Sequence, residues 1–141
     1  MYSYMPYNVT PAQLMKAMKG EAEARKYYKR LIGMAPNEKE ADIIERIYED
    51  EKKHLTKFKM LFKMIANKEP ELTNVKSPDF DSYLEGVENA ILDELEAYEF
   101  YRDIYLFSNN PVVKEIFFEA FTDENEHAAH LNYLYTKNKN R

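Results

Sequence analysis

Apolar residues recur every three or four positions along most of this chain, which is the period of an amphipathic α-helix. One such stretch keeps the helical period from Ile44 to Ile65. Prolines separate the stretches, and the pair Thr10 and Pro11 places a capping residue directly before a proline at the first helical position. The pattern therefore predicts four long helices, at about 10–35, 37–67, 80–107 and 110–135.

The lengths of the connections predict how these helices are arranged. Only a few residues separate helices 1 and 2, and likewise helices 3 and 4, so each pair is expected to form an antiparallel hairpin. Residues 68–78 contain two prolines and no apolar period. When extended, this segment spans up to about 36 Å, so a crossover along the bundle would give up-down-down-up order. A surface loop between antiparallel neighbours is the alternative.

The two predicted hairpins, about 10–67 and 79–135, repeat each other with an offset of 73 residues. Apolar positions follow this offset, as in the pair Met18 and Ile91. Two hairpins related by a pseudo-twofold axis would produce the repeat, and such an axis also favours up-down-down-up order. The polar residues that match are Glu21 and Glu94, Tyr28 and Tyr101, Asp50 and Asp123, Glu51 and Glu124, and His54 and His127.

Two Glu-x-x-His motifs interrupt the apolar stripes of helices 2 and 4, and one glutamate interrupts the stripes of helices 1 and 3. A spacing of three residues places both side chains of a motif on one face of a helix. Burying four carboxylates together is unfavourable unless cations join them, and two divalent ions would balance their charge. We therefore predict a two-metal site formed by Glu21, Glu51, His54, Glu94, Glu124 and His127.

Two aspartates are expected to orient the imidazoles of this site. Asp50 lies four residues before His54, and Asp123 lies four residues before His127. This helical spacing lets a carboxylate accept the second imidazole N–H and fix the tautomer. The alternative is that both are ordinary exposed acids.

Two tyrosines are the candidates for a catalytic role. Tyr28 and Tyr101 each follow a predicted glutamate ligand by seven residues, so they lie on the same helix face about two turns further on. Their hydroxyls could donate to a ligand carboxylate on a neighbouring helix, whereas packing in the core is the alternative. His130 has no repeat partner and is expected at the surface, beside Glu126.

Composition restricts the chemistry further. The chain has 141 residues, the size of one domain, and no cysteine, which excludes thiolate ligands and iron–sulfur clusters. A formal charge of -5 argues against nucleic-acid binding. No apolar run approaches the ~20 residues of a membrane span, and residues 1–8 lack the features of a secretory signal. A cytoplasmic protein that binds neither membrane nor nucleic acid is therefore expected.

Each Glu-x-x-His motif begins 30 residues after the start of a Glu-x6-Tyr motif. This combination resembles the ferritin-like superfamily and, within it, the rubrerythrin-type di-iron domains, from about Thr10 to Tyr135. The resemblance implies an all-α, ferritin-like four-helix bundle that holds two iron ions, with manganese as an alternative, and forms a homodimer. It also implies O2 or H2O2 as oxidant. The chain has no cysteines for a rubredoxin module, so electrons are expected from an external donor such as a rubredoxin or a reductase.

The function implied by this resemblance is a non-haem di-iron oxidoreductase that reduces H2O2 or O2 in defence against oxidative stress. Rubrerythrins typically have a further glutamate three residues after the one on helix 3, where this chain has Ala97. The remaining six ligands look more like a bacterioferritin ferroxidase centre. A ferroxidase or iron-handling protein is therefore one alternative, and a metal-stabilised structural bundle without turnover is another.

Overall fold

A computed structural model describes residues 7–141. Most of the N-terminal segment used in the secretory-signal argument lies outside these residues. Within residues 7–141 no helix combines the length and the hydrophobicity needed to cross a membrane. The described chain forms four helices and no strand, namely α1 (Pro11–Met34), α2 (Glu38–Ala66), α3 (Tyr83–Phe107) and α4 (Pro111–Asn138).

Side-chain caps explain where the helices begin and end. The Thr10 hydroxyl accepts from the backbone N–H of Gln13, whose side chain accepts from the backbone N–H of Thr10, so a complete capping box starts α1. The Ser82 side chain caps α3, which therefore begins three residues later than the apolar pattern predicted. Asn67 ends α2 in the left-handed conformation, with φ of 56°, which asparagine tolerates better than most residues.

The hairpins α1/α2 and α3/α4 pack with α1 against α3 and α2 against α4. Contacts between α1 and α3 run in opposite sequence directions, because Tyr28 bonds to Glu94 while Tyr101 bonds to Glu21. These two helices are therefore antiparallel. Since each hairpin is antiparallel as well, the helices follow the predicted up-down-down-up order.

The crossover between α2 and α3 runs along the outside of α1. Lys26 donates to the backbone carbonyl of Val75 at 2.9 Å, and Arg30 donates to that of Phe80 at 2.8 Å. The Phe80 ring is buried against Gly86 of α3, where any Cβ would lie 2.7 Å from a ring carbon. The crossover is thus fixed to both hairpins, and the end of α3 near Tyr83 is fixed with it.

Two apolar clusters lie at either end of the bundle core, and the predicted polar site lies between them. Along α1, Met18 belongs to one cluster and Leu31 to the other, and Glu21 comes between them in sequence. This arrangement shields the middle of the bundle from bulk water along its axis. The largest fully buried side chains of the two clusters are Leu14, Met18, Phe58, Leu61 and Phe117 in one, and Leu31, Ile44, Ile47, Phe80, Leu131 and Leu134 in the other.

Candidate metal centre

Each helix contributes one buried glutamate to the middle of the bundle, and α2 and α4 each add a histidine. The helical spacing of three residues within each Glu-x-x-His motif turns both of its side chains inward. None of the six side chains belongs to a residue more than 3% exposed. The structure therefore brings together all six predicted residues, Glu21, Glu51, His54, Glu94, Glu124 and His127.

These six residues form two overlapping groups of four. Within each group, one ligand atom from every residue lies within 4.8 Å of the others. Such an arrangement offers two adjacent cation positions with two shared and two unshared carboxylates. Glu51 and Glu124 belong to both groups, whereas the first group adds Glu21 and His54 and the second adds Glu94 and His127.

One buried atom on each of the six residues has no hydrogen-bond partner among the described residues. Five of these atoms contact one another only as ion pairs, for example at 3.2 Å between His54 Nδ1 and Glu124 Oε1. A buried polar atom without a hydrogen bond costs about 1–3 kcal/mol, so the cluster favours a bound species that satisfies its members together. Oxygen and imidazole nitrogen donors suit Fe(II) and Mn(II), so the donor set fits a pair of such ions. The six atoms are Glu21 Oε2, Glu51 Oε1, His54 Nδ1, Glu94 Oε2, Glu124 Oε1 and His127 Nδ1.

The aspartates hold the outer nitrogen of each imidazole, but not in the predicted pairs. His54 Nε2 lies 2.8 Å from Asp123 Oδ2, and His127 Nε2 lies 2.7 Å from Asp50 Oδ2. The sequence-based pairing of each histidine with the aspartate four residues earlier on its own helix is therefore wrong. Each imidazole turns Nδ1 towards the bundle centre. Nε2 therefore points across the contact between α2 and α4 to an aspartate of the other, antiparallel helix rather than along its own helix.

These hydrogen bonds control the protonation of the imidazoles. Burial alone would lower the pKa of His54, but Asp123 and the surrounding glutamates raise it to about 11. Burial opposes the charged form of His127 in the same way, whereas Asp50 and the nearby glutamates raise its pKa to about 12. Without a metal ion, both imidazoles are therefore protonated on both ring nitrogens and positively charged at neutral pH.

The buried glutamates respond to the same environment. Burial, reinforced by the charge of Glu51, raises the pKa of Glu21, Glu94 and Glu124. Burial also opposes ionisation of Glu51, but the two imidazoles outweigh it and lower the pKa of that carboxyl. Several protons must therefore leave this site when cations enter it.

Two tyrosines hold the unshared glutamates. Tyr28 donates to Glu94 Oε1 at 2.5 Å, and Tyr101 donates to Glu21 Oε1 at 2.6 Å. Both bonds cross between α1 and α3, so each hydroxyl donates to a carboxylate of a neighbouring helix, which is one of the two roles that the sequence left open. Burial raises the pKa of both phenols well above 10, so they stay neutral and donate. Each of these glutamates thus has one oxygen fixed by a tyrosine and the other without a hydrogen bond, although Glu94 Oε2 lies 3.4 Å from His127 Nδ1.

The rubrerythrin family model matches residues 13–135, which include every residue of this centre. The chain belongs to the rubrerythrin family. The uncharacterized protein YhjR of Bacillus subtilis (strain 168) is 33% identical to it, over 94% of this chain and 95% of that protein. The expected ferritin-like, rubrerythrin-type resemblance is therefore confirmed.

Solved structures share the fold of this rubrerythrin-family chain. A hypothetical protein from Pyrococcus furiosus aligns with a TM-score of 0.79 and 23% identity, over 89% of this chain and 87% of that one. A dodecameric thioferritin, the bacterioferritin-related protein from Bacteroides fragilis, aligns with a TM-score of 0.76 and 20% identity, over 90% and 84% of the two chains. The all-α four-helix prediction is confirmed.

The rubrerythrin-family site is reached by a cavity of about 580 Å³ between α1 and α3, which the sequence analysis did not predict. The wall of this cavity is open beside Gly20, where even an added Cβ would have no neighbouring atom within 4 Å. Lys57 covers one part of the seam between α2 and α4, with its Nζ 2.6 Å from Glu119, and a smaller cavity of about 320 Å³ on this side is lined by His127 but by none of the four glutamates. The only available signal was a series of small residues, Ala17, Gly20 and Ala24 on α1 and Ala90 and Ala97 on α3.

Lys53 is a second feature of the rubrerythrin-family site that the sequence analysis missed. Its Nζ lies 3.0 Å from Asp123 and 3.7 Å from Asp50, so one ammonium group contacts both aspartates that hold the imidazoles. The repeat places Glu126 at the matching position of α4, so the pseudo-twofold symmetry fails here. Glu126 instead lies 3.3 Å from the exposed His130, the surface pair that the sequence predicted.

Proposed function

We propose that this protein is a non-haem di-iron oxidoreductase that reduces H2O2 or O2 with electrons from an external donor. The observation that carries the proposal is the set of six buried donor atoms without hydrogen bonds, in two groups that share Glu51 and Glu124. Membership of the rubrerythrin family supports iron as the metal and peroxide as the oxidant. The external donor would be a rubredoxin or a reductase.

Six side chains would hold the two ions in the proposed site. When bound, two ferrous ions supply the two electrons that, with two protons, convert H2O2 into two water molecules. The shared carboxylates would contact both ions, whereas each unshared glutamate and each histidine would contact one. The proposed ligands are Glu21, Glu51, His54, Glu94, Glu124 and His127.

The tyrosines would act by positioning the ligands. Because Tyr28 and Tyr101 occupy one oxygen of Glu94 and Glu21, only the other oxygen of each carboxylate is available to an ion. Asp50 would likewise fix the His127 ring so that Nδ1 faces the ions. The apolar clusters on both sides limit water access, and the cavity between α1 and α3 would admit the oxidant.

Anaerobic titration of the metal-free protein with Fe(II), followed by rapid mixing with H2O2 or O2, tests this proposal. We expect two Fe(II) per chain, faster oxidation by H2O2 than by O2, and renewed reaction after a reductant is added. Glu51→Gln with Glu124→Gln should abolish binding of the pair, whereas the exposed Glu126→Gln control should bind normally. Binding of two ions without oxidation by either oxidant would contradict the proposed activity.

A ferroxidase is the second candidate, because acidic residues line the cavity that leads to the site. Glu23, Asp93 and Glu96 line this cavity and would attract Fe(II) as a substrate. At position 97, where rubrerythrins typically have a further glutamate, this chain has an alanine in the cavity wall. Continued oxidation of added Fe(II) without a reductant, beyond two ions per chain, would favour this function over peroxide reduction.

A further inference from the structure

The outer faces of the two hairpins differ although their inner faces repeat. On α3/α4 the outer face exposes large apolar side chains, and Leu92, Leu95 and Leu106 are 62%, 40% and 59% exposed. The fold does not require them, because the matching positions of α1/α2 carry small or charged residues. Leu92, Leu95, Leu106 and Phe118 correspond to Lys19, Ala22, Gly33 and Glu45.

Five exposed residues form one line along α3. We call this line the α3 outer stripe; its residues are Leu92, Leu95, Glu99, Arg102 and Leu106. Their spacings alternate between three and four residues, which is the period of the contact line in a two-helix coiled coil. Glu99 and Arg102 lie at its middle. Neither makes a hydrogen bond or ion pair anywhere in residues 7–141.

Four of the five residues of the α3 outer stripe are complementary to each other when two copies lie antiparallel, and Leu92 then faces Asn109, beyond the end of α3. With a twofold axis midway between Glu99 and Arg102, each Glu99 faces Arg102 of the second copy. The same register places Leu95 against Leu106 of the second copy, because both pairs of residue numbers have the same midpoint. In a parallel pair the like charges would face each other, so only the antiparallel arrangement matches charge with charge and leucine with leucine.

We propose that the α3 outer stripe forms the contact of a twofold-symmetric homodimer. Aromatic side chains beside the stripe would widen this contact, since Tyr105 packs against Phe118 and Phe121. None of the five stripe residues lines the cavity between α1 and α3. The dimer therefore leaves the metal centre accessible, and the inference does not depend on the proposed activity.

Charge reversal tests the register directly, with the mass in solution measured by light scattering and sedimentation. The wild type should have twice the 16.8 kDa of one chain, or a larger mass built from such dimers. E99R and R102E should each weaken this contact at least about tenfold, because like charges then face each other. The double variant E99R/R102E should restore it.

A mixture of the two single variants gives the sharpest test. An equimolar mixture of E99R and R102E should form mixed dimers, which native mass spectrometry resolves by their different masses, although neither variant associates alone. K29E, the matching position to Arg102 on α1, is the control and should associate like the wild type. Circular dichroism of every variant should retain the wild-type helix content, because both side chains are exposed.

Two results would overturn the proposal. One is a wild type that stays monomeric at tens of micromolar. The other is association that persists in both single variants, which would place the contact on another face. If one single variant loses helix content, the double variant E99R/R102E and the other single variant still decide the matter. The proposal requires that the double variant associates and that the folded single variant does not.

Discussion

At the scale of single residues, the centre depends on how each carboxylate oxygen is used. Glu94 has one oxygen bonded to Tyr28 and the other without a hydrogen bond, and Glu21 has the same arrangement with Tyr101. A carboxylate fixed at one oxygen has less freedom to rotate away from an ion. We therefore expect the hydroxyls of both tyrosines to affect metal affinity without contacting the metal.

Tyr28→Phe removes one of these hydrogen bonds and keeps the ring. We expect Fe(II) or Mn(II) to bind about 10–100-fold more weakly, because the ligand carboxylate loses its fixed orientation. Calorimetric titration measures this, and Tyr133→Phe is the control, since Tyr133 is half-exposed and remote from the cluster. Unchanged affinity in Tyr28→Phe would show that packing is the only role of this residue.

Protonation gives a second prediction at this scale. The pKa of His54 and of His127 is raised to about 11 and about 12, so metal binding at neutral pH must displace an imidazole proton from each. Metal affinity should therefore rise with pH, and a weakly buffered indicator should record at least two protons released per chain. Binding that is independent of pH would contradict this.

The same pKa shifts predict how the metal-free protein responds to alkali. A histidine whose pKa is raised in the folded state stabilises the fold fully below its unfolded pKa of about 6.5. This stabilisation is lost as pH rises through the folded values of about 11 and about 12. Denaturant unfolding of the metal-free protein should show a stability that decreases above neutral pH, and an increase would contradict the assignment.

At the scale of elements, the crossover fixes where α3 starts. The Phe80 ring occupies the space beside Gly86, and Ser82 caps the helix between them. Lys26 and Arg30 of α1 hold the backbone on the other side. This anchoring sets the position of α3 along the bundle axis, and therefore the axial position of Glu94 relative to Glu21.

Gly86→Ala tests this anchoring. The new Cβ would lie 2.7 Å from a Phe80 ring carbon and 2.8 Å from Leu31, so we expect a loss of about 1–3 kcal/mol in unfolding free energy. Gly33→Ala is the control, because nothing lies within 4 Å there and alanine favours the helix by about 1 kcal/mol. Equal stabilities of the two variants in denaturant unfolding would contradict this account.

At the scale of the whole molecule, the pseudo-twofold repeat is symmetric at the centre and asymmetric at the seams. The α1/α3 seam contains small residues and is open, whereas Lys53 and Lys57 cover the α2/α4 seam with ion pairs to Asp123 and Glu119. The cavity of about 580 Å³ in the α1/α3 seam is lined by all four buried glutamates, whereas the cavity of about 320 Å³ on the α2/α4 side is lined by His127 and by none of them. We therefore expect a small oxidant to enter through the α1/α3 seam. Access and metal binding can accordingly be altered separately.

Ala97→Leu narrows the open seam beside Glu94. In the iron-loaded protein we expect slower oxidation by tert-butyl hydroperoxide than in the wild type, with a smaller effect on oxidation by the smaller H2O2. Affinity for Fe(II) should stay the same, because Ala97 supplies no ligand. Stopped-flow absorbance measures both rates, and equal slowing by both oxidants would argue against the cavity as the route.

The sequence by itself determined the four helices, the repeat and the six residues of the centre. Those features follow from local periodicity and from spacing along one helix, which fix the side of the helix on which Glu51 and His54 lie. Tertiary structure alone decided the exchange of Asp50 and Asp123 between the histidines, the open α1/α3 seam and the position of Lys53. These depend on distances and rotations between separate helices, which packing sets and spacing along the chain does not record.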